Sequence, residues 1–98
     1  MNKEEKIQKM KNVRSAIDRV DGKILPLVVK RSKLVNKALE IKSRKNEIVD
    51  RKRIKQILKK VGSESRKMNA NPKLIKSIWM DMIQNFIEHE RKEFKKRK

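Results

Sequence analysis

Apolar residues recur along the first part of the chain at Ile7, Met10, Val13, Ile17, Val20, Ile24, Leu27, Leu34, Ala38 and Ile41. Steps of three and four sustained over about ten turns indicate an amphipathic helix and exclude a strand. Arg31 is the one position of that run that is not apolar. From Ile7 to Lys42 such a helix holds 36 residues, about 54 Å at 1.5 Å per residue. A compact chain of this size has a radius of gyration of only about 13 Å. The helix cannot bury its stripe inside its own globule, so a second chain is expected alongside it.

Asp21-Gly22 and Pro26 could end this helix and create a hairpin of two helices. Pro26 has no N–H, and its ring crowds the carbonyl four residues back, that of Gly22. The apolar register nevertheless crosses the interruption without a skip, which favours one helix kinked at this point. A second helix is expected from Asp50 to Val61, with Ile54, Ile57, Leu58 and Val61 as its stripe and Gly62 as its stop. Ser43 to Val49 reads as a short basic connection, and Ser63 to Ala70 as a polar loop. Asn71-Pro72 supplies a capping residue followed by proline at the first helical position. The third helix carries Ile75, Ile78, Trp79, Met82, Ile83, Phe86, Ile87 and Phe94, interrupted by Glu90. The expectation is a single all-α domain over residues 1–98, three helices per subunit, with residues 95–98 a frayed basic tail.

Composition narrows the chemistry. The 98 residues contain no cysteine and one histidine, His89, which excludes disulfide scaffolds, thiolate catalysis and Cys-based zinc sites. No run of about 18 uncharged apolar residues exists, so no membrane span is expected. Met1 to Lys6 has no apolar segment behind its charges, so a secretory signal is not expected and a cytoplasmic protein is. The net charge of +18 raises nucleic-acid binding as a possibility. Against it, Lys outnumbers Arg 21 to 9 and the basic residues are spread over the whole length. Nucleic-acid surfaces tend to use Arg for bidentate phosphate contacts and aromatics for base stacking. Trp79, Phe86 and Phe94, the only aromatics, lie on one apolar stripe, so a solvated lysine surface is the simpler reading.

The informative charges are those on the apolar faces. Arg31 and Glu90 each occupy a stripe position, where an unpaired charge would cost several kcal/mol. They could pair with each other. Arg31, Val35, Ala38 and Lys42, however, are spaced i, i+4, i+7 and i+11 on one helix face. Two cations then look into one volume, and the single carboxylate of Glu90 cannot neutralise both. A small anion with more than one negative group would complete the site. Arg14 stands 17 residues before Arg31, about 25 Å along a helix, so it could reach the site only from a second, antiparallel chain. Its simpler role is a surface pair with Asp18.

The segment Arg14-Ser-Ala-Ile-Asp18-Arg-Val-Asp21-Gly-Lys-Ile-Leu, followed by Arg31, Lys42 and Asp50-Arg51-Lys52-Arg53, resembles the all-helical chorismate mutase class. The resemblance extends over about residues 10 to 94, and the same fold includes the isochorismate-pyruvate lyases. It implies an intertwined homodimer with two equivalent sites, each taking Arg14 from one chain and Arg31, Lys42, Arg53 and Glu90 from the other. The substrate implied is a small dicarboxylate, chorismate or isochorismate, and no cofactor or metal. Rearrangement of chorismate to prephenate, a step of aromatic amino acid biosynthesis in the shikimate pathway, is one pericyclic event. It needs a folded substrate conformer and stabilised charge on the ether oxygen. Arg14 and Arg31 would clamp carboxylates. Lys42 would serve a carboxylate and the ether oxygen, with Glu90 completing the donation.

Three positions depart from the mutase pattern. Many relatives of this class carry Gln where Glu90 stands, and a carboxyl group there donates only when protonated. Activity favouring acidic pH is therefore expected. A Glu usually follows the Arg matching Arg53 and holds the ring hydroxyl; here it is Ile54. A small hydroxyl residue common at the position of Phe86 is also missing. Both changes make the pocket more apolar, as in the lyases, whereas Asp50 matches the mutases. Chorismate mutase is the leading reading and isochorismate-pyruvate lyase the runner-up. A non-enzymatic basic module that binds nucleic acid or a partner helix is the alternative of another class.

Overall fold

A computed structural model describes residues 1–97. Helix α1 runs Lys3–Ile41, α2 runs Arg51–Lys67 and α3 runs Pro72–Lys95, with one short 3-10 turn at Lys45–Glu47 between α1 and α2. There is no strand among the described residues, and the chain is all-α as its periodicity requires. No described helix is long and apolar enough to cross a membrane.

Helix α1 is continuous through Gly22 and Pro26, the single-helix outcome rather than the hairpin. It begins four residues before the first stripe residue because Asn2 caps it: the Asn2 Oδ1 accepts from the Glu5 N–H at 2.8 Å. The Asn2 amide in turn donates to the Glu5 carboxylate at 3.2 Å, so the two residues satisfy each other.

The chain divides into two units, Met1–Leu34 and the remainder from Val35. The first is α1 alone, and nothing in it is fully buried. Ile7 is 60% exposed and Leu27 66%, so this unit does not cover its own apolar stripe. The second unit holds a true core of Leu39, Ile48, Ile83 and Ile87, against which Val49, Ile54, Ile57, Leu58, Trp79 and Phe94 pack.

Helix α2 starts where expected, its N-terminus capped by the Asp50 carboxylate, which accepts from the Arg53 N–H at 3.0 Å. It does not stop at Gly62 but continues to Lys67. Gly62 is instead a point of close approach to α3: a Cβ there would lie 2.9 Å from Lys76 Cδ. The left-handed residue that ends the helix is Asn69, at φ 59°. The Ala70 N–H bonds to the Ser65 carbonyl at 2.9 Å and the Asn69 N–H to the Arg66 carbonyl at 3.1 Å, a Schellman closure. The polar loop expected from Ser63 is therefore only residues 68–71.

Asn71 caps α3 as the sequence indicates, its Oδ1 accepting from the Lys73 N–H at 3.0 Å and the Leu74 N–H at 3.3 Å. A connection this short makes α2 and α3 antiparallel neighbours. Helix α3 runs on to Lys95, and the Arg97 guanidinium donates to carbonyls at the end of α1, as described below; Lys98 lies outside the described residues.

Candidate active site

The site is built where α1 ends against the C-terminal part of α3. Glu90 follows Ile83 and Ile87 by seven and three residues, so helical spacing turns it toward the same core. It is buried at 7% exposure. Its carboxylate Oε2 accepts from Lys42 Nζ at 2.9 Å. Lys42 is the first residue past α1, its N–H still bonded to the Leu39 carbonyl at 3.1 Å. Leu39 is buried, and this anchors the base of the lysine while its ammonium reaches the carboxylate.

Helix α1 has no basic residue in its last turn to meet its terminal carbonyls. Arg97 fills that role from the far end of the chain. Its guanidinium donates to the Lys42 carbonyl at 2.7 Å and to the Leu39 carbonyl. The same group sits 4.9 Å from the centre of the Phe94 ring. Sequence reasoning missed this residue because a terminal Lys/Arg run carries no local sign of a tertiary cap. A second tie joins α1 to α3, where His89 Nε2 and Asn36 Oδ1 lie 2.9 Å apart.

Lys42 also lines an open cleft of about 730 Å³ with Asn46, Glu47, Val49, Asp50, Arg51 and Arg91. Its two carboxylates are committed to backbone. Glu47 Oε2 accepts from the Ser43 and Arg44 N–H groups, both at 2.7 Å, and Asp50 caps α2. The Arg44 N–H first, and the Ser43 N–H next, hold the Glu47 carboxyl below the usual carboxylate range. Arg51 and Arg91 are thus additional cations at this cleft that stripe analysis did not single out. The signal was present in their neighbours: each follows a residue, Asp50 or Glu90, already picked as a site candidate.

The structure brings Lys42, Glu90 and Asp50 to this end of the second unit. Arg53 is exposed on the first turn of α2 and does not line the Lys42 cleft. Ile54 packs on the core and lines a neighbouring groove with Val49, Met80 and Ile87. Phe86 is half-buried on α3. Arg31 and its neighbour Ser32 are the half-buried residues of the first unit, near its end. Arg14 is exposed, in a shallow groove with Ile7, Met10, Lys11 and Asp18.

Residues 13–91 match the family described as chorismate mutase type II. The chain belongs to that family. The matched stretch opens one residue before Arg14 and closes one after Glu90, so it contains Arg14, Arg31, Lys42 and Glu90 together. Arg97 falls outside it. No individual curated protein matches the chain. The family membership gives a chorismate mutase-type domain its identity, and the all-α architecture of the described residues agrees with it.

Proposed function

We propose that this protein is a cytoplasmic homodimer that rearranges chorismate to prephenate, feeding aromatic amino acid biosynthesis, in sites shared between its two chains. The observation that carries the reading is the Lys42 ammonium held on the buried Glu90 carboxylate at 2.9 Å. A cation fixed in this way is preorganised for a substrate anion and for the oxygen that gains charge as the ether bond breaks. The apolar stripe of residues 7–34, exposed along its length, supplies the reason for a second chain.

In the proposed site the partner's Arg14 and this chain's Arg31 grip the two carboxylates. The substrate is thereby held with its enolpyruvyl carbon folded over the ring. The C–O bond breaks as the new C–C bond forms, with no nucleophile and no net proton transfer. Lys42 donates to the ether oxygen, and Glu90, when protonated, donates to it as well. Arg53 adds positive charge at the edge, and Asp50 fixes the start of α2 that carries it.

The lyase reading has a specific support of its own. Ile54 packs on the core and Phe86 is half-buried, at positions where the mutase pattern would have a Glu for the ring hydroxyl and a small hydroxyl residue. The test is to incubate the purified protein with chorismate and, separately, with isochorismate. Prephenate from chorismate supports the mutase; salicylate and pyruvate from isochorismate, with chorismate untouched, supports the lyase. Consumption of neither, with duplex binding that falls steeply as salt rises, would replace both by a nucleic-acid-binding role.

A further inference from the structure

At the opposite end of the α2–α3 pair lies a second concavity of about 620 Å³. Its lining includes Lys59, Ser63, Arg66, Asn71, Lys73 and Lys76. Lys76 precedes Glu90 by 14 residues, about 21 Å along α3, so this groove is separate from the Lys42–Glu90 site. Helical spacing explains the convergence. Lys59, Ser63 and Arg66 are at i, i+4 and i+7 on one face of α2, while Lys73 and Lys76 are one turn apart on α3. Gly62 lets the Lys76 stem lie directly against α2, since a Cβ there would collide with it.

We infer that this groove binds a small ligand carrying linked phosphates, either free pyrophosphate or the phosphate tail of a nucleotide. Four cations line it and no carboxylate does. None of the four forms an ion pair among the described residues, although carboxylates pair with Lys42, Lys67, Arg91 and Lys96 elsewhere in the same unit. The Ser63 hydroxyl and the Asn71 amide add neutral donors. One phosphate group brings about two negative charges, so two or more linked groups are needed to balance four cations. The cations surround one pocket-sized volume instead of tracking along a strip, which suits a compact oligophosphate better than a nucleic-acid strand.

The experiment is calorimetric titration of the full chain with pyrophosphate, orthophosphate, ATP and a short DNA duplex at one fixed salt concentration. Pyrophosphate and ATP should both bind, more tightly than orthophosphate. Equal affinities for the two would assign recognition to the phosphates alone, and tighter ATP binding would assign the nucleotide. The variant Arg66→Gln with Lys73→Gln, and separately Lys76→Gln, should lose about tenfold or more in pyrophosphate affinity. All three are side chains on exposed positions, so folding can be checked by circular dichroism. The control Lys9→Gln with Lys92→Gln removes the same charge elsewhere and should bind as the parent does. Equal losses in groove and control variants would reduce the effect to net charge and overturn the inference. Duplex binding that depends on Arg66 and Lys73, without pyrophosphate binding, would overturn it in favour of nucleic acid.

Discussion

Residues 1–34 and the rest of the chain carry the same kind of apolar stripe, yet only the second unit buries its stripe in a core of its own. In the second unit Leu39, Ile83 and Ile87 are buried against Ile48 and the inner face of α2. In the first, Val13, Ile17, Val20 and Ile24 each remain about half exposed, although their spacing is as regular. Periodicity states that a face must be covered; it does not state by what. The contrast also separates two uses of charge. Lys42 and Glu90 satisfy each other inside the second unit, whereas Arg14 stands on an exposed helix with apolar residues around it. A partner chain would cover that stripe and bring Arg14 to a substrate in one step.

The comparison breaks most sharply at the uncovered stripe. Ile17→Asp puts a charge where no core of its own chain is disturbed, since Ile17 is 52% exposed. It should nonetheless abolish chorismate turnover and halve the mass found by sedimentation velocity, because the cost of burying the charge falls on the dimer alone. Full activity in this variant would return the stripe to ordinary surface. Arg31→Ala should lower kcat/KM by about 10²–10³-fold, the loss typical of one preorganised donor, while the melting temperature stays close to the parent's. A large loss of stability with modest loss of rate would make Arg31 a structural residue.

In the second unit the opposite pattern is expected. Ile83→Ala leaves a cavity in a packed core and should destabilise by about 2–5 kcal/mol in denaturant titration, an effect on folding of the unit before any on assembly. The smallest effect is expected at Glu90. Glu90→Gln puts a neutral amide donor where the carboxyl group stands, so chorismate turnover should persist. Abolished turnover with the fold intact would remove Glu90 from the donating role.

The helices were legible because the stripes are strong, and the starts of α2 and α3 were legible from Asp50, Asn71 and Pro72. The end of α2 was not. Gly62 is a stop signal by local chemistry, but its lack of a side chain is used by Lys76 from α3, and Asn69 supplies the left-handed turn instead. A glycine's two uses look identical in one dimension. Lys42 and Glu90 could be found as charges on apolar faces, because burial of a charge demands an explanation wherever it occurs. Arg97 could not, since its partners are carbonyls 55 and 58 residues away, fixed only once α3 has folded back on the end of α1.

The proposed sharing of sites between two chains can be tested directly by complementation. Arg14→Ala and Lys42→Ala chains, each inactive alone, are mixed in equal amounts, allowed to exchange subunits, and assayed with chorismate. Half of the dimers should then be mixed, and each mixed dimer holds one intact site of two, so turnover should recover to about a quarter of the parent's. No recovery after demonstrated exchange, or an Arg14→Ala chain that is fully active by itself, would contradict a site assembled from two chains.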